Sequence, residues 1–124
     1  HPATMATTQS LGLTIINNKY ENIHFLLPLS YNECIHYQKF SSAIITDSGG
    51  IQKEAYWLKV PCFTFRKETE WIETLKGNWN QLVYEDINNL KTLMKQTVSD
   101  YNPNLYGTGN AAGIISKSLQ YQMG

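Results

Sequence analysis

The sequence predicts a single α/β domain with a mainly parallel sheet, and three features of the chain support this fold class. Short apolar runs rich in β-branched residues alternate with stretches whose apolar residues recur at helical spacing. Runs without polar alternation are typical of strands covered on both faces, as in parallel sheets. The chain has 124 residues, 42% of them hydrophobic, which is enough for one domain with a packed core.

The first third of the chain is predicted to contain a helix, a strand and a second helix. The first helix covers residues 3–11. The strand covers residues 22–29, and its apolar run consists of Ile23, Phe25, Leu26 and Leu27. The second helix covers residues 31–40. Its first residue, Tyr31, either packs in the core or faces a bound base at the edge of the sheet, and the sequence leaves both roles open.

The middle of the chain is predicted to be a strand, a glycine turn and a helix. Residues 43–46 form a short β-branched run, and the Asp-Ser-Gly-Gly stretch at 47–50 breaks it. Residues 51–58 then place three apolar side chains on one face of a short helix: Ile51, Ala55 and Leu58. Because Val60-Pro61 ends this unit, a further strand is expected directly after it.

The remaining elements follow from the same patterns. A strand is predicted at 62–65, a short helix starting at 70–73, a turn and short strand at 77–83, a helix at 86–98, a polar loop at 99–109 and a last helix at 110–120. The last helix is expected to pack on the sheet through Ala111, Ile114, Ile115 and Leu119.

The glycine turn is a candidate phosphate site. The first turn of a helix leaves backbone N–H groups unpaired, and the helix dipole favours an anion there. Gly49 and Gly50 allow a ligand to approach the backbone, and Ser48 adds a hydroxyl donor. Glu54, further along the helix, suits the two hydroxyls of a ribose. The alternative is ordinary N-cap chemistry by Asp47 or Ser48, with Glu54 as a solvated surface residue.

Arg66 lies where the predicted strand at 62–65 ends, and two roles are open for it. A guanidinium group at this edge of a sheet can pair with a diphosphate, since its donors match phosphate oxygens. Alternatively, Arg66 forms a surface ion pair with Glu68 or Glu70.

Composition and spacing exclude several classes of function. Ten basic and ten acidic residues cancel, so a nucleic-acid partner is not expected. No apolar run approaches the roughly 20 residues of a membrane span, and the chain begins without the pattern of a signal peptide, so we expect a soluble cytoplasmic protein. Cys34, Cys62 and the three histidines lack metal-ligand spacing, and both cysteines are expected to be buried thiols.

Four stretches together resemble the non-hydrolysing UDP-N-acetylglucosamine 2-epimerases. In chain order they are TDSGGIQKEA at 46–55, VPCFTFRKETEW at 60–71, GNWNQLV at 77–83 and NPNLYGTGNAAGII at 102–115. The resemblance implies a Rossmann-like three-layer sandwich, the C-terminal half of a GT-B fold. Residues 1–124 are then one UDP-binding domain, and the N-terminal catalytic domain and the first strands of this domain belong to a preceding part of the protein.

The resemblance also implies roles for particular residues. Ser48, Gly49 and Gly50 match the residues that hold the diphosphate of UDP, and Glu54 matches the glutamate that takes the ribose hydroxyls. The two residues matched toward the substrate cleft are Arg66 and His1, although His1 also has a plain interpretation as a disordered chain end. Two departures lie close to these motifs, because Lys53 stands where many members have glutamate and Trp71 where many have arginine.

For the whole enzyme, the resemblance implies interconversion of UDP-N-acetylglucosamine and UDP-N-acetylmannosamine by elimination and re-addition of UDP. The resemblance implies a homodimer and implies no metal or cofactor. It also implies that none of the catalytic acid/base residues falls within this chain. A GT-B glycosyltransferase that binds a UDP-sugar in a similar way is the alternative. A signalling module with Asp47 as phospho-acceptor ranks last, because no further acidic residues stand near Leu27.

Overall fold

The computed structural model describes residues 22–24 and 26–123. The chain divides into two units, His1–Tyr37 and Gln38–Gly124. The described elements are α1 (Tyr31–Lys39), β1 (Ile44–Thr46), α2 (Gly49–Leu58), β2 (Cys62–Thr64), a 3₁₀ segment (Ile72–Asn78), β3 (Asn80–Leu82), a 3₁₀ turn (Ile87–Asn89), α3 (Leu90–Leu93) and α4 (Ala111–Met123). The predicted helix at 3–11 lies outside the described residues.

The sheet lies in the second unit and is parallel. Its strands pair in the order β1-β2-β3, with Ile45 opposite Phe63 and Phe63 opposite Gln81. The middle strand β2 is buried along its whole length, because it is covered by a neighbour on each side and by side chains on both faces. The predicted α/β class with a parallel sheet is confirmed.

Helix α2 connects β1 to β2 and packs on the sheet. Gln52, Ala55 and Tyr56 are its buried residues. The helix ends at Leu58, and its C-cap is Lys59, whose φ of 59° and ψ of 40° are left-handed. The amides of Lys59 and Val60 donate to the carbonyls of Tyr56 and Ala55. This C-terminal cap turns the chain directly into β2.

Two local features, the start of helix α1 and the kink before β3, have short sequence motifs as their cause. Helix α1 begins with a capping box, in which the Glu33 carboxylate accepts from the amide and the hydroxyl of Ser30 at 2.8 and 2.6 Å. Those hydrogen bonds lower the pKa of Glu33. The kink before β3 comes from Gly77, which has a φ of 70° inside the 3₁₀ segment.

An aromatic cluster holds the polar loop at 99–109 against α2. Tyr56 stacks on Tyr101 at 5.1 Å between ring centroids and meets Trp79 and Tyr106 edge-on, each at 6.0 Å. The Tyr56 hydroxyl also accepts from the amide of Asn102 at 2.9 Å. The loop is therefore ordered by side chains, although it contains no helix or strand.

Three predicted elements differ from the structure. Residues 22–24 and 26–30 form no strand, because an apolar run becomes a strand only when a neighbour pairs its backbone, and none of the described strands does. The helix predicted at 86–98 shrinks to one 3₁₀ turn and the four residues of α3, since Asn88, Asn89 and the β-branched residues after Thr92 are poor helix formers. The short helix predicted from 70 is a 3₁₀ segment.

Helix α4 forms as predicted and extends to Met123, but its predicted packing is wrong. All its described residues are exposed, with Ile115 at 59% and Leu119 at 54% of full exposure. Helical spacing shows which face is apolar without showing what covers it, and no described element lies over this face.

Candidate functional site

The site lies where β1 and β2 end, at the C-terminal edge of the sheet. The hydroxyl of Thr46, the last residue of β1, accepts from the amide of Ser48 at 3.0 Å. The carbonyl of Thr46 accepts from the amide of Phe65 at 2.8 Å. One residue therefore fixes both the turn into α2 and the segment that leads to Arg66. Ligands of open α/β sheets gather at this edge.

Helix α2 begins two residues earlier than predicted. Ser48 is the N-cap, with φ −82° and ψ 128°, and its hydroxyl makes no capping hydrogen bond. Gly49 and Gly50 are the first helical residues and not a turn. Within the described part of the chain, no oxygen accepts from the amides of Gly49, Gly50 or Ile51. The helix start thus offers three amides and one hydroxyl to an anion.

The two glycines face different surroundings. A Cβ on Gly50 would find only the Ser48 hydroxyl, at 3.9 Å, whereas a Cβ on Gly49 would collide with the Glu70 carboxylate and come within 3.4 Å of the indole nitrogen of Trp71. The missing side chain of Gly49 therefore lets the Glu70 carboxylate approach the helix start closely. Neither glycine has a positive φ.

Arg66 pairs with Glu70, as one of its two predicted roles requires. The guanidinium lies 2.9 Å from the carboxylate, and both side chains remain substantially exposed. The pKa of Glu70 is lowered, first by its own backbone amide and then by the charge and hydrogen bond of Arg66. The same Glu70 carboxylate also lies beside Gly49. An anion of similar size would therefore reach from the helix start to Arg66.

Glu54 is half-buried and lies four residues after Gly50 on the same face of α2. Its carboxylate accepts from the side-chain amide of Gln38 at 2.7 Å. This contact orients the Glu54 side chain. A half-buried, hydrogen-bonded Glu54 differs from the alternative in which it is a solvated surface residue.

The two departures from the family pattern contact each other. The Lys53 ammonium lies 4.3 Å from the centroid of the Trp71 ring and 5.3 Å from that of Tyr106, which is a cation–π arrangement. Tyr106 in turn meets Trp71 edge-on at 6.1 Å. Burial raises the pKa of Tyr106, and the neighbouring Glu73 carboxylate raises it further, so its hydroxyl stays protonated.

A buried polar network supports the site and was missed in the sequence. The Gln52 carbonyl oxygen accepts from the Thr69 hydroxyl at 2.6 Å and from the Asn80 amide at 3.0 Å. Asn80 also donates to Thr74 at 3.0 Å and accepts from Thr64 at 2.6 Å. The network thus ties α2, β2, β3 and the segment at 69–74 together. Its sequence signature is Gln52, which precedes Ala55 and Tyr56 by three and four residues on the buried face of α2.

Other predicted residues are less involved. His1 lies outside the described residues. Cys62 is buried, as predicted, and burial raises its pKa to about 11, whereas Cys34 is only half-buried because α1 leaves that position partly open. The described residues contain no group of three or more potential metal ligands. None of the helices among residues 22–24 and 26–123 combines the length and apolar character needed to cross a membrane.

Comparison with known proteins gives a consistent result. The family model described as UDP-N-acetylglucosamine 2-epimerase matches residues 2–120. A UDP-N-acetylglucosamine 2-epimerase homolog of Methanococcus maripaludis is 37% identical over 97% of this chain and 34% of its own length. The UDP-2,3-diacetamido-2,3-dideoxy-D-glucuronate 2-epimerase of Pseudomonas aeruginosa is 33% identical over 96% of this chain and 33% of its own length.

A solved structure gives the same picture. The UDP-GlcNAc 2-epimerase of Methanocaldococcus jannaschii, in complex with UDP-GlcNAc and UDP, superimposes with a TM-score of 0.81 at 32% identity, over 98% of this chain and 34% of that one. The predicted fold, the C-terminal part of a GT-B epimerase, is confirmed. The chain spans about a third of the length of these relatives. By its sequence and its fold, the chain belongs to the UDP-N-acetylglucosamine 2-epimerase family.

Proposed function

We propose that this chain is the UDP-binding part of an enzyme that interconverts UDP-N-acetylglucosamine and UDP-N-acetylmannosamine. The observation that carries the proposal is the helix start of α2. Its first three amides have no acceptor in the described part of the chain, the Ser48 hydroxyl makes no capping hydrogen bond, and a single carboxylate reaches from there to Arg66. A diphosphate has the negative charge and the acceptor oxygens to bind these donors. The bound UDP-GlcNAc and UDP of the related archaeal structure support the same assignment.

The remaining contacts follow from the same placement. Glu54 takes the ribose hydroxyls, with Gln38 orienting its carboxylate. His1, which is outside the described residues, is proposed to contribute to substrate binding, as its match in the family implies. The acid/base residues that move the C2 proton belong to the rest of the enzyme, and the whole enzyme is a cytoplasmic homodimer.

In the proposed reaction the C2 proton is removed, and the bond between C1 and the UDP oxygen breaks with its electron pair on UDP. The glycal that results regains a proton at C2 on the opposite face before UDP re-adds at C1. Negative charge develops on the diphosphate as the bond breaks, and this domain stabilises it. Removing one such donor raises the barrier by about 3 kcal/mol.

Calorimetric titration tests the proposed site. The full chain is titrated with UDP, with uridine as the control for the diphosphate, both alone and joined to the N-terminal two thirds of the Methanococcus maripaludis relative. We expect UDP to bind, uridine to bind far more weakly, and the combined Ser48→Ala and Glu54→Ala changes to remove most of the affinity. Unchanged affinity in this double variant would refute the site.

Gly50→Ala gives a second test that separates binding from folding. A Cβ has room at Gly50, and alanine in a helix is more favourable than glycine by about 0.5–1 kcal/mol. The variant should therefore be at least as stable as the wild type and should bind UDP more weakly, because the methyl group keeps the diphosphate from the backbone. Product analysis without an acceptor then separates the epimerase from a glycosyltransferase, since only an epimerase forms the mannosamine isomer alone.

A further inference from the structure

The place beside Gly49 is occupied by a side chain of the protein itself. The Glu70 carboxylate lies against the Cα of Gly49, where any Cβ would collide with it. A carboxylate resembles a phosphate in charge and in its acceptor oxygens. It lies beside the first residue of α2, and the first three amides of this helix have no acceptor among the described residues.

A second group points to a missing acceptor at the same place. The indole nitrogen of Trp71 is buried and has no hydrogen-bond partner among residues 22–24 and 26–123, and it lies 3.4 Å from the position of a Cβ on Gly49. An unpaired buried donor is unfavourable, so such groups in native proteins call for an explanation. A ligand oxygen beside Gly49 would supply the acceptor.

Trp71 and Glu70 differ in how firmly they are held. The amide of Trp71 donates to the Thr69 hydroxyl at 3.1 Å, its carbonyl accepts from Thr74 at 2.6 Å, and the Lys53 ammonium lies over its ring. Glu70, by contrast, has a side chain that is 48% exposed, and its described partners are Arg66 and its own amide. Glu70 can therefore leave the site while Trp71 stays in position.

We infer that Glu70 is a displaceable internal anion and that Trp71 is a phosphate-binding residue. The inference rests on the proposed function. When the diphosphate arrives, the Glu70 carboxylate leaves Gly49, Arg66 turns from Glu70 to the ligand, and the Trp71 indole N–H donates to the phosphate oxygen that takes the vacated place. The ligand class recognised here is a nucleoside diphosphate or its sugar ester.

Affinity measurements with matched controls test both roles. The dissociation constant for UDP is measured for the full chain in the two forms described above, at one fixed salt concentration. Glu70→Gln should tighten binding about fivefold, because a competing and like-charged group is removed. Glu68→Gln removes the same charge from a neighbouring exposed position and should change affinity much less.

The tryptophan is tested in the same assay. Trp71→Phe keeps a ring for Lys53 but removes the N–H donor, and binding should weaken about tenfold, as expected for a hydrogen bond to a charged acceptor. Trp57→Phe changes an exposed tryptophan of helix α2 and should leave affinity unchanged. Weaker binding by Glu70→Gln would show that Glu70 positions Arg66 for the ligand, and would overturn the displacement.

Nuclear magnetic resonance gives a direct reading of the donor. The three tryptophans give three indole N–H signals, and Trp71→Phe identifies one of them. That signal should move downfield on addition of UDP and stay in place with uridine. If UDP binds the wild type but neither this signal nor the two variants respond beyond their controls, the inference fails and the proposed function stands. If UDP binds neither form of the wild type, the proposed function itself fails.

Discussion

Gly77 is the residue whose missing side chain matters most to the described backbone. Its φ is 70°, and a Cβ would collide with the carbonyl of Ser99, whose amide donates to the Gly77 carbonyl at 2.9 Å. The Ser99 carbonyl also accepts from the Trp79 indole at 2.7 Å. Gly77 thus lets the loop at 99–109 approach the turn before β3.

Gly77→Ala should therefore destabilise the chain by about 3 kcal/mol or more, from a strained φ and a backbone collision together. Gly107→Ala is the matched control, because Gly107 has a φ of 80° with nothing near its missing Cβ. Gly107→Ala should lower the unfolding free energy by only about 1 kcal/mol, because it introduces a strained φ without a collision. Urea unfolding measures both, and equal losses would show that the contact with Ser99 is absent in solution.

Cys62 makes the stability of the chain depend on alkaline pH. Burial raises the pKa of its thiol from 9.0 to about 11, so above pH 9 the unfolded chain loses this proton while the folded chain keeps it. Stability is fully present below pH 9 and falls as pH rises toward 11, by roughly 2–3 kcal/mol in total. Cys62→Ala should lack this component, and parallel pH profiles for the two proteins would contradict it.

The local part of the site was predictable residue by residue, and the rest was not. Ser48, Gly49, Gly50 and Glu54 stand within one short motif, so helix geometry alone relates them. The contact of Thr69 with Gln52 spans 17 positions, and that of Asn80 with Gln52 spans 28. Such contacts depend on how β2 and β3 pair, which no local pattern contains.

Among the elements, the polar network is what holds the segment at 69–74 to the sheet. Asn80 is 1% exposed and uses both its donors and its acceptor. Asn80→Asp keeps the shape but removes both donors and buries a charge. We expect a loss of about 3–5 kcal/mol in unfolding free energy at pH 7.

The loss should be smaller at low pH, because protonation of the new carboxyl group restores one donor. Asn88→Asp provides the control, since Asn88 is exposed and makes no contact on which the sheet depends. A loss that is equally large at both pH values would argue against the hydrogen bonds as its cause.

Element prediction succeeded where the local pattern is strong and failed where a strand needs a pairing neighbour or a helix contains poor helix formers. The strands at β1 and β2 and helices α1 and α2 follow from continuous apolar runs and helical spacing. The run at 22–29 has the same composition as a strand but no pairing neighbour among the described elements. The stretch at 86–98 has helical spacing, yet it buries too little apolar surface to hold poor helix formers in place.

At the scale of the whole molecule, α4 is a helix with no described cover. Ile115→Ser should change the unfolding free energy of the chain by no more than about 0.5 kcal/mol, as for other exposed positions. Val83→Ser, at a fully buried position, should lower it by about 2–4 kcal/mol. Comparable losses would mean that α4 is buried by self-association in solution, which sedimentation of the wild-type chain would detect.

The fold class was predictable at this scale because alternation of strands and helices is repeated along the chain. The position of α4 was not predictable, because helical spacing of apolar residues shows which face is apolar without showing what covers it. The relatives are about three times as long as this chain, so much of what surrounds these elements in them lies in segments that have no counterpart here.

The network around Gln52 also has a kinetic consequence. The segment at 69–74 carries Glu70 and Trp71, and folding of the sheet already fixes its backbone through Thr69, Thr74 and Asn80. Nucleotide association therefore requires no rearrangement of this segment's backbone, and only the exposed side chains of Glu70 and Arg66 must rotate. Such rotations take nanoseconds or less, so stopped-flow traces of UDP binding to the proposed site should show a single phase whose rate rises linearly with UDP concentration.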